Sequence, residues 1–169
     1  MKKAASTAEH EPTREQRLMF SGEYLCKLDE KGRFLLPPSI RVFLSEEGLG
    51  AGRLVVFLKV LELASLRVYP QAQWDDVLKQ ARAKLDEEQS RLFMHFVVSE
   101  TSMSEVDKAG RILIPGKLRK YINLDDDQEI VLVGMYEHLE VWGPTEWRRY
   151  VQRTQDQNEA SMSKIMDLL

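Results

Sequence analysis

The sequence predicts an α+β fold made of two tandem copies of a strand–turn–strand–helix unit, with longer helices between and after them. Three observations predict it. An Asp-x-x-Gly-Arg turn in "LDEKGRFLLPPSIR" (28–41) returns in "VDKAGRILIPGKLR" (106–119). Each copy then runs through an apolar stretch, "RLVVFLKVL" or "EIVLVGMY", into a segment with a tryptophan beyond it, "RVYPQAQW" or "EVWGPTEW". Between the copies, Trp74, Val77, Leu78, Ala81 and Leu85, then Leu92, Phe93, Phe96 and Val97, fall at helical spacings.

The repeat holds residue by residue. At an offset of 78, Asp29 falls on Asp107, Gly32 on Gly110, Arg33 on Arg111, Leu36 on Ile114, Pro37 on Pro115 and Arg41 on Arg119, while Lys31 meets Ala109. Further on, Val68 meets Val141, Tyr69 meets Trp142 and Trp74 meets Trp147 at an offset of 73. The first copy therefore carries five extra residues in the intervening loop.

Taken in order, residues 1–17 are small or charged, include Pro12 and show no apolar period, so they read as a flexible extension. A strand is expected at 24–28, a turn at 30–32, a second strand at 33–36 and a short helix opened by Pro38, together a hairpin and a helical turn. The second copy repeats this, with its turn at 108–110 and its helix after Pro115. One or two helices link the copies. A last helix is expected from Thr145, capped by that threonine and reaching about Arg153, followed by a mobile tail. The expected divisions are an extension at 1–18, repeat 1 at 19–75, a helical connector at 76–100, repeat 2 at 101–150, and a helix end and tail at 151–169.

Composition narrows the function classes. With 43% hydrophobic and 30% charged residues the chain is of ordinary globular type, and its net charge of -3 means that any nucleic-acid binding must come from local charge. No apolar run approaches the roughly 20 residues that span a bilayer, and the start lacks the apolar core of a signal peptide, so the expected address is the cytoplasm. A single cysteine, Cys26, excludes an intrachain disulfide and a multi-Cys zinc cluster; it reads as a small strand residue rather than a nucleophile. His10, His95 and His138 have no metal-ligand spacing, and neither a Gly-rich phosphate loop nor a nucleophile elbow is present. The expectation is a non-enzyme with no cofactor, no metal and no evident small-molecule ligand.

The repeated turn carries the remaining chemistry. An aspartate there can accept backbone N–H bonds from two or three residues ahead, and a glycine can take the positive φ that closes the loop, so Asp29 with Gly32 and Asp107 with Gly110 are explained by backbone geometry alone. The arginines are not. Period-two alternation turns Ile112 and Ile114 inward and Arg111 outward, and Arg33 likewise. Lys31 and Lys108 lie in the turns, and Arg41 and Arg119 on the following helices. Residues 107–120 thus carry a local charge of +4 and residues 27–41 one of +2. Guanidinium groups suit bidentate contact with guanine and pairing with phosphate. Arg33, Arg111, Lys31 and Lys108 are therefore the candidate DNA-binding residues, with Arg41 and Arg119 in support. A few contacts per subunit bind weakly, and several arms on repeated boxes would add avidity.

These residues resemble the MraZ proteins of bacteria, which carry two tandem SpoVT-AbrB-type domains with an Asp-x-x-x-Arg signature in each. The resemblance covers roughly residues 19–150, through "MFSGEY", "LDEKGR", "VYP", "DKAGRILIPGKLR" and "VWGPTEW". It implies a barrel in which hairpins of two similar units interleave, both from one chain: a pseudo-twofold unit flanked by helices. It further implies a nucleoid-associated DNA-binding regulator, a homo-oligomeric ring on short direct repeats. Its target would be the division and cell-wall gene cluster promoter, including its own gene, which it would repress. By position the signature residues are Asp29, Arg33, Asp107 and Arg111. Two departures stand out: the longer, more apolar "LKVLELASLRVYP", and the extension before Met19. A rival reading is a protein-interaction module such as an AbrB-type antitoxin, for which only "SKIMDLL" could serve as a binding tail.

Overall fold

The structure is a computed structural model, and it describes residues 20–41, 54–124 and 128–169. The expected extension at 1–18, with His10, lies outside the described residues.

The first repeat supplies strands β1 (Glu23–Lys27), β2 (Arg33–Leu35), β3 (Leu54–Val60) and β4 (Ser65–Pro70). The second supplies β5 (Ser102–Glu105), β6 (Arg111–Leu113), β7 (Glu129–Gly134) and β8 (Leu139–Trp142). A helical turn α1 (38–41) follows β2, and helices α2 (Gln71–Lys84) and α3 (Glu87–Phe96) follow β4. Their counterparts are α4 (Gly116–Tyr121) after β6, then α5 (Pro144–Gln157) and α6 (Glu159–Met166) after β8.

The expected turn forms, but the hairpin across it does not. The Asp29 N–H donates to the Arg33 carbonyl (2.8 Å) and the Gly32 N–H to the Asp29 carbonyl (3.0 Å), after which β1 and β2 meet only at the bridge Leu28↔Phe34. β2 instead pairs antiparallel with β6, with Phe34 opposite Ile112. In the same way β1 pairs with β7 and β5 with β3. The cause is burial. Phe34 and Ile112 are each 1% exposed, and a lone three-residue strand has no second layer on which to hide such a side chain. Crossing over brings both onto one core.

The result is the interleaved barrel that the resemblance implies. Its main sheet runs β1-β7-β8-β4-β3-β5, and the β2–β6 ribbon spans the gap between the edge strands, touching β1 and β5. Inside lies a single core drawn from both repeats, including Phe20, Phe34, Ile40, Phe57, Leu66, Ile112, Leu118, Ile130 and Val141. The outer face is also covered. α2 and α3 pack Trp74, Val77 and Phe93 over Val56, Leu58 and Tyr69, and α5 packs Trp147 and Tyr150 over Val131, Val133 and Trp142. Strands buried on both faces read as continuous apolar runs, as β3 and β7 do. Cys26 belongs to the inner core, and burial pushes its thiol up to about 11, so it stays protonated and inert.

The register locates two of the five extra residues. Val56 pairs with Tyr69 and Val131 with Trp142, so β3 and β7 stand at an offset of 75, between 78 and 73. Three extra residues therefore precede β3, and two lie in the β3–β4 turn.

The ends of the helices differ from expectation. Pro144 occupies the first helical position of α5 and Gly143 its N-cap, so Thr145 is not the cap: a proline at that position needs no N–H partner and presets the helical φ. α5 also runs past Arg153 to Gln157, and α6 stands where a tail is expected. Between α2 and α3, Asp86 forms a capping box with Gln89; its side chain accepts from the Gln89 N–H (2.8 Å), while Gln89 Oε1 accepts from the Asp86 N–H (3.1 Å).

Where β4 meets β8, the outer face carries a polar belt in which Arg67 is paired across the strands with Glu140 and the Tyr69 ring lies 5.1 Å from that of His138. Burial, with help from the Arg67 charge, pushes the His138 imidazole down to about 4 from an ordinary 6.5. Between those values an unfolded chain takes a proton that the folded one refuses, so this group makes stability fall as pH drops from 6.5 towards 4. Glu140 acts in the opposite sense, since burial raises its carboxyl against the pull of Arg67. Urea midpoints of His138→Gln at about pH 7 and about pH 5 are therefore expected to lie closer together than those of the native chain.

Candidate nucleic-acid interface

Each repeated turn is built around one carboxylate that does two jobs. Asp29 Oδ1 accepts the N–H groups of Lys31 (3.0 Å) and Arg33 (2.9 Å), while Oδ2 accepts Arg33 Nε (2.7 Å). In the second copy, Asp107 Oδ1 accepts from Ala109 (2.9 Å) and Arg111 (2.8 Å), and Oδ2 accepts Arg111 Nε (2.8 Å). The backbone bonds thus reach two and four residues ahead, against an expected two or three. Both carboxyls are held below the usual range, chiefly by the backbone N–H of their own arginine, with its guanidinium adding to the effect against burial. The arginines are consequently not loose. With Nε held by the aspartate, the two Nη groups form the outer end of each guanidinium, whose side chains are 28% (Arg33) and 39% (Arg111) exposed.

The ribbon sets both arginines on one face. Arg33 lies opposite Leu113 and Leu35 opposite Arg111, so the four side chains share the outward side while Phe34 and Ile112 fill the inward one. Lys31 and Lys108 are exposed in the flanking turns. A two-stranded ribbon of this kind fits the major groove of duplex DNA, and fixed guanidinium forks at its two ends match the acceptor edge of guanine.

Arg41 and Arg119 join the site by crossing over. The Arg119 guanidinium lies against Gly32, and that of Arg41 lies against Gly110, where an added Cβ would come 2.5 Å from Cζ. Each helix arginine therefore backs the turn of the other repeat, whereas the sequence groups it with its own. The glycine carbonyls cross as well, accepting from Leu36 N–H (Gly110, 3.0 Å) and Ile114 N–H (Gly32, 3.0 Å). Gly32 (φ +85°) and Gly110 (φ +83°) are thus required twice, for the left-handed backbone and for the guanidinium above it. Gly32→Ala or Gly110→Ala is expected to lower Tm by roughly 3–10 °C in calorimetry, from a strain of about 1–3 kcal/mol.

Several features of this surface escaped sequence reasoning. The crossed arginines depend on contacts between residues 87 and 69 positions apart. Leu35 and Leu113, 54% and 41% exposed, were readable as outward from alternation alone. His95 is exposed on α3 and His138 sits in the polar belt, both away from the ribbon. Among the described residues no group of three or more His, Cys, Asp or Glu could hold a metal ion, and no helix is long and apolar enough to cross a membrane.

A family profile described as "MraZ protein, putative antitoxin-like" matches residues 19–96 and again 97–168. A protein of Desulforamulus reducens named "Transcriptional regulator MraZ" is 38% identical over 152 residues, covering 89% of this chain and 100% of that protein. The protein of that name from Moorella thermoacetica is 37% identical over 150 residues, 88% of this chain and 98% of the relative. One from Treponema pallidum is 34% identical over 151 residues, with 88% and 95% covered. A solved structure, "The solution structure of PHS018 from pyrococcus horikoshii", covers 72% of this chain and 87% of that one at 16% identity and a TM-score of 0.31, too distant to add to the fold. With both repeats matched and relatives aligned along nearly their whole length, the chain belongs to the MraZ family.

Proposed function

We propose that this chain is a DNA-binding transcriptional regulator that reads duplex DNA with the β2–β6 ribbon. The observation that carries the reading is the shared outward face of Arg33 and Arg111, each held at Nε by its own aspartate. Pre-set guanidinium groups lose little freedom on binding, which suits base readout as well as phosphate pairing. The names of the relatives point the same way.

A net charge of -3 leaves each subunit a weak binder, so the reading includes a homo-oligomeric ring that engages short direct repeats with several ribbons at once. Met162, Ile165, Met166 and Leu168, exposed on and after α6, supply apolar surface for self-association. The proposed role is repression of the promoter of the division and cell-wall gene cluster, its own gene included, by a cytoplasmic, nucleoid-associated protein. The same exposed side chains favour a second reading, an antitoxin-like module that binds another protein. Genome-wide occupancy mapping, with light scattering of the purified protein in parallel, separates the two. Enrichment over direct repeats upstream of that cluster is the expected result; occupancy no different from an untagged control overturns the DNA-binding reading.

A further inference from the structure

We infer that Leu35 and Leu113 are specificity-determining residues that take up thymine methyl groups in the major groove, beside the guanines met by Arg33 and Arg111; the inference rests on the DNA-binding reading above. Both leucines project from the outward face of a ribbon whose other face is the core. Neither belongs to any of the three apolar clusters that hold the fold together. A polar residue would serve the alternation of either strand at least as well, yet both repeats place leucine there.

Position and surroundings say what the leucines meet. Each is the direct cross-strand partner of an arginine, Leu113 of Arg33 and Leu35 of Arg111. Such partners have Cβ atoms about 4.5–5.5 Å apart, between one and two of the roughly 3.4 Å steps between bases on a strand. An arginine on a guanine therefore puts its leucine partner within about two base pairs of it. In the major groove, the thymine 5-methyl group is the apolar feature that marks a base edge. The surroundings of the leucines are net positive: Lys31, Lys108, Arg33 and Arg111, with Arg41 and Arg119 against the turns, outnumber Asp29, Glu30 and Asp107. That frame fits a polyanion carrying small apolar groups and disfavours an apolar protein surface.

Deoxyuridine, which lacks only the methyl group, gives the test. Duplexes enriched from a randomised pool by the native full-length protein are remade with deoxyuridine for thymine, and binding is followed by fluorescence anisotropy. Native protein is expected to bind the deoxyuridine duplex about fourfold more weakly for each contacted methyl, the value of burying one such group. The salt dependence should not change, since no phosphate contact is touched. Leu35→Ala with Leu113→Ala is expected to bind the thymine duplex more weakly and to be indifferent to the exchange. Native protein that binds both duplexes equally overturns the role of the leucines and leaves the DNA-binding reading standing. If no duplex is enriched at all, that reading fails and this inference with it.

Discussion

Replacing Arg33 and Arg111 together by alanine is expected to weaken binding to a direct-repeat duplex by about 100-fold or more while leaving the mass measured by light scattering unchanged. A bidentate arginine–guanine contact discriminates by about 1–3 kcal/mol, and on the proposed reading the double variant removes two of them from each chain. Avidity multiplies the loss, since each weakened arm lowers the benefit of its neighbours. The fold should survive. The Nε–carboxylate pairs are about one-third exposed, a setting in which solvent screens an ion pair, and each aspartate keeps its two backbone donors. Anisotropy titrations, with circular dichroism and light scattering as controls, decide the matter. Unchanged, salt-sensitive binding by the double variant would remove these arginines from the reading surface.

Separating the repeats is expected to abolish folding of either one as a monomer. Residues 19–96 alone would leave β1 without β7, β2 without β6 and β3 without β5, and residues 97–168 would lose the same pairings from the other side. The inner core would be split as well, with Phe34, Ile40 and Phe57 on one fragment and Ile112, Leu118 and Ile130 on the other. A unit of this size has little stability to spare even with a whole core. Each fragment should give an unfolded circular dichroism spectrum or associate with its own copies, and mixing the two from denaturant should restore a native melting transition. A monomeric fragment with a sharp transition of its own would contradict the interleaved pairing.

The sequence made the elements legible and left their partners hidden. Asp29, Gly32 and Arg33 announce a turn through their chemistry, and their return at Asp107, Gly110 and Arg111 announces a repeat. Alternation then sorts Phe34 from Leu35 and Ile112 from Leu113. No local signal says that β2 lies beside β6 rather than β1: periodicity identifies a face, and two similar ribbons offer similar faces. The barrel was legible through the family resemblance instead. Local geometry also left Arg119 with its own turn, because its place over Gly32 exists only after the chain has crossed. Thr145 misled for a different reason, since threonine and proline both open helices and here Pro144 comes first.

The exchange of strands bears on how the protein is made. A ribosome must deliver residues 111–113 before β2 has a partner and residues 129–134 before β1 does. Arg119 must emerge before the Asp29 turn is backed, and the Asp107 turn leans on a residue synthesised long before it, Arg41. A chain halted within its first repeat therefore carries Arg33 without a finished ribbon to hold it. Interrupted translation is therefore expected to yield monomeric products that lack the β2–β6 ribbon, and with it the surface proposed to read DNA.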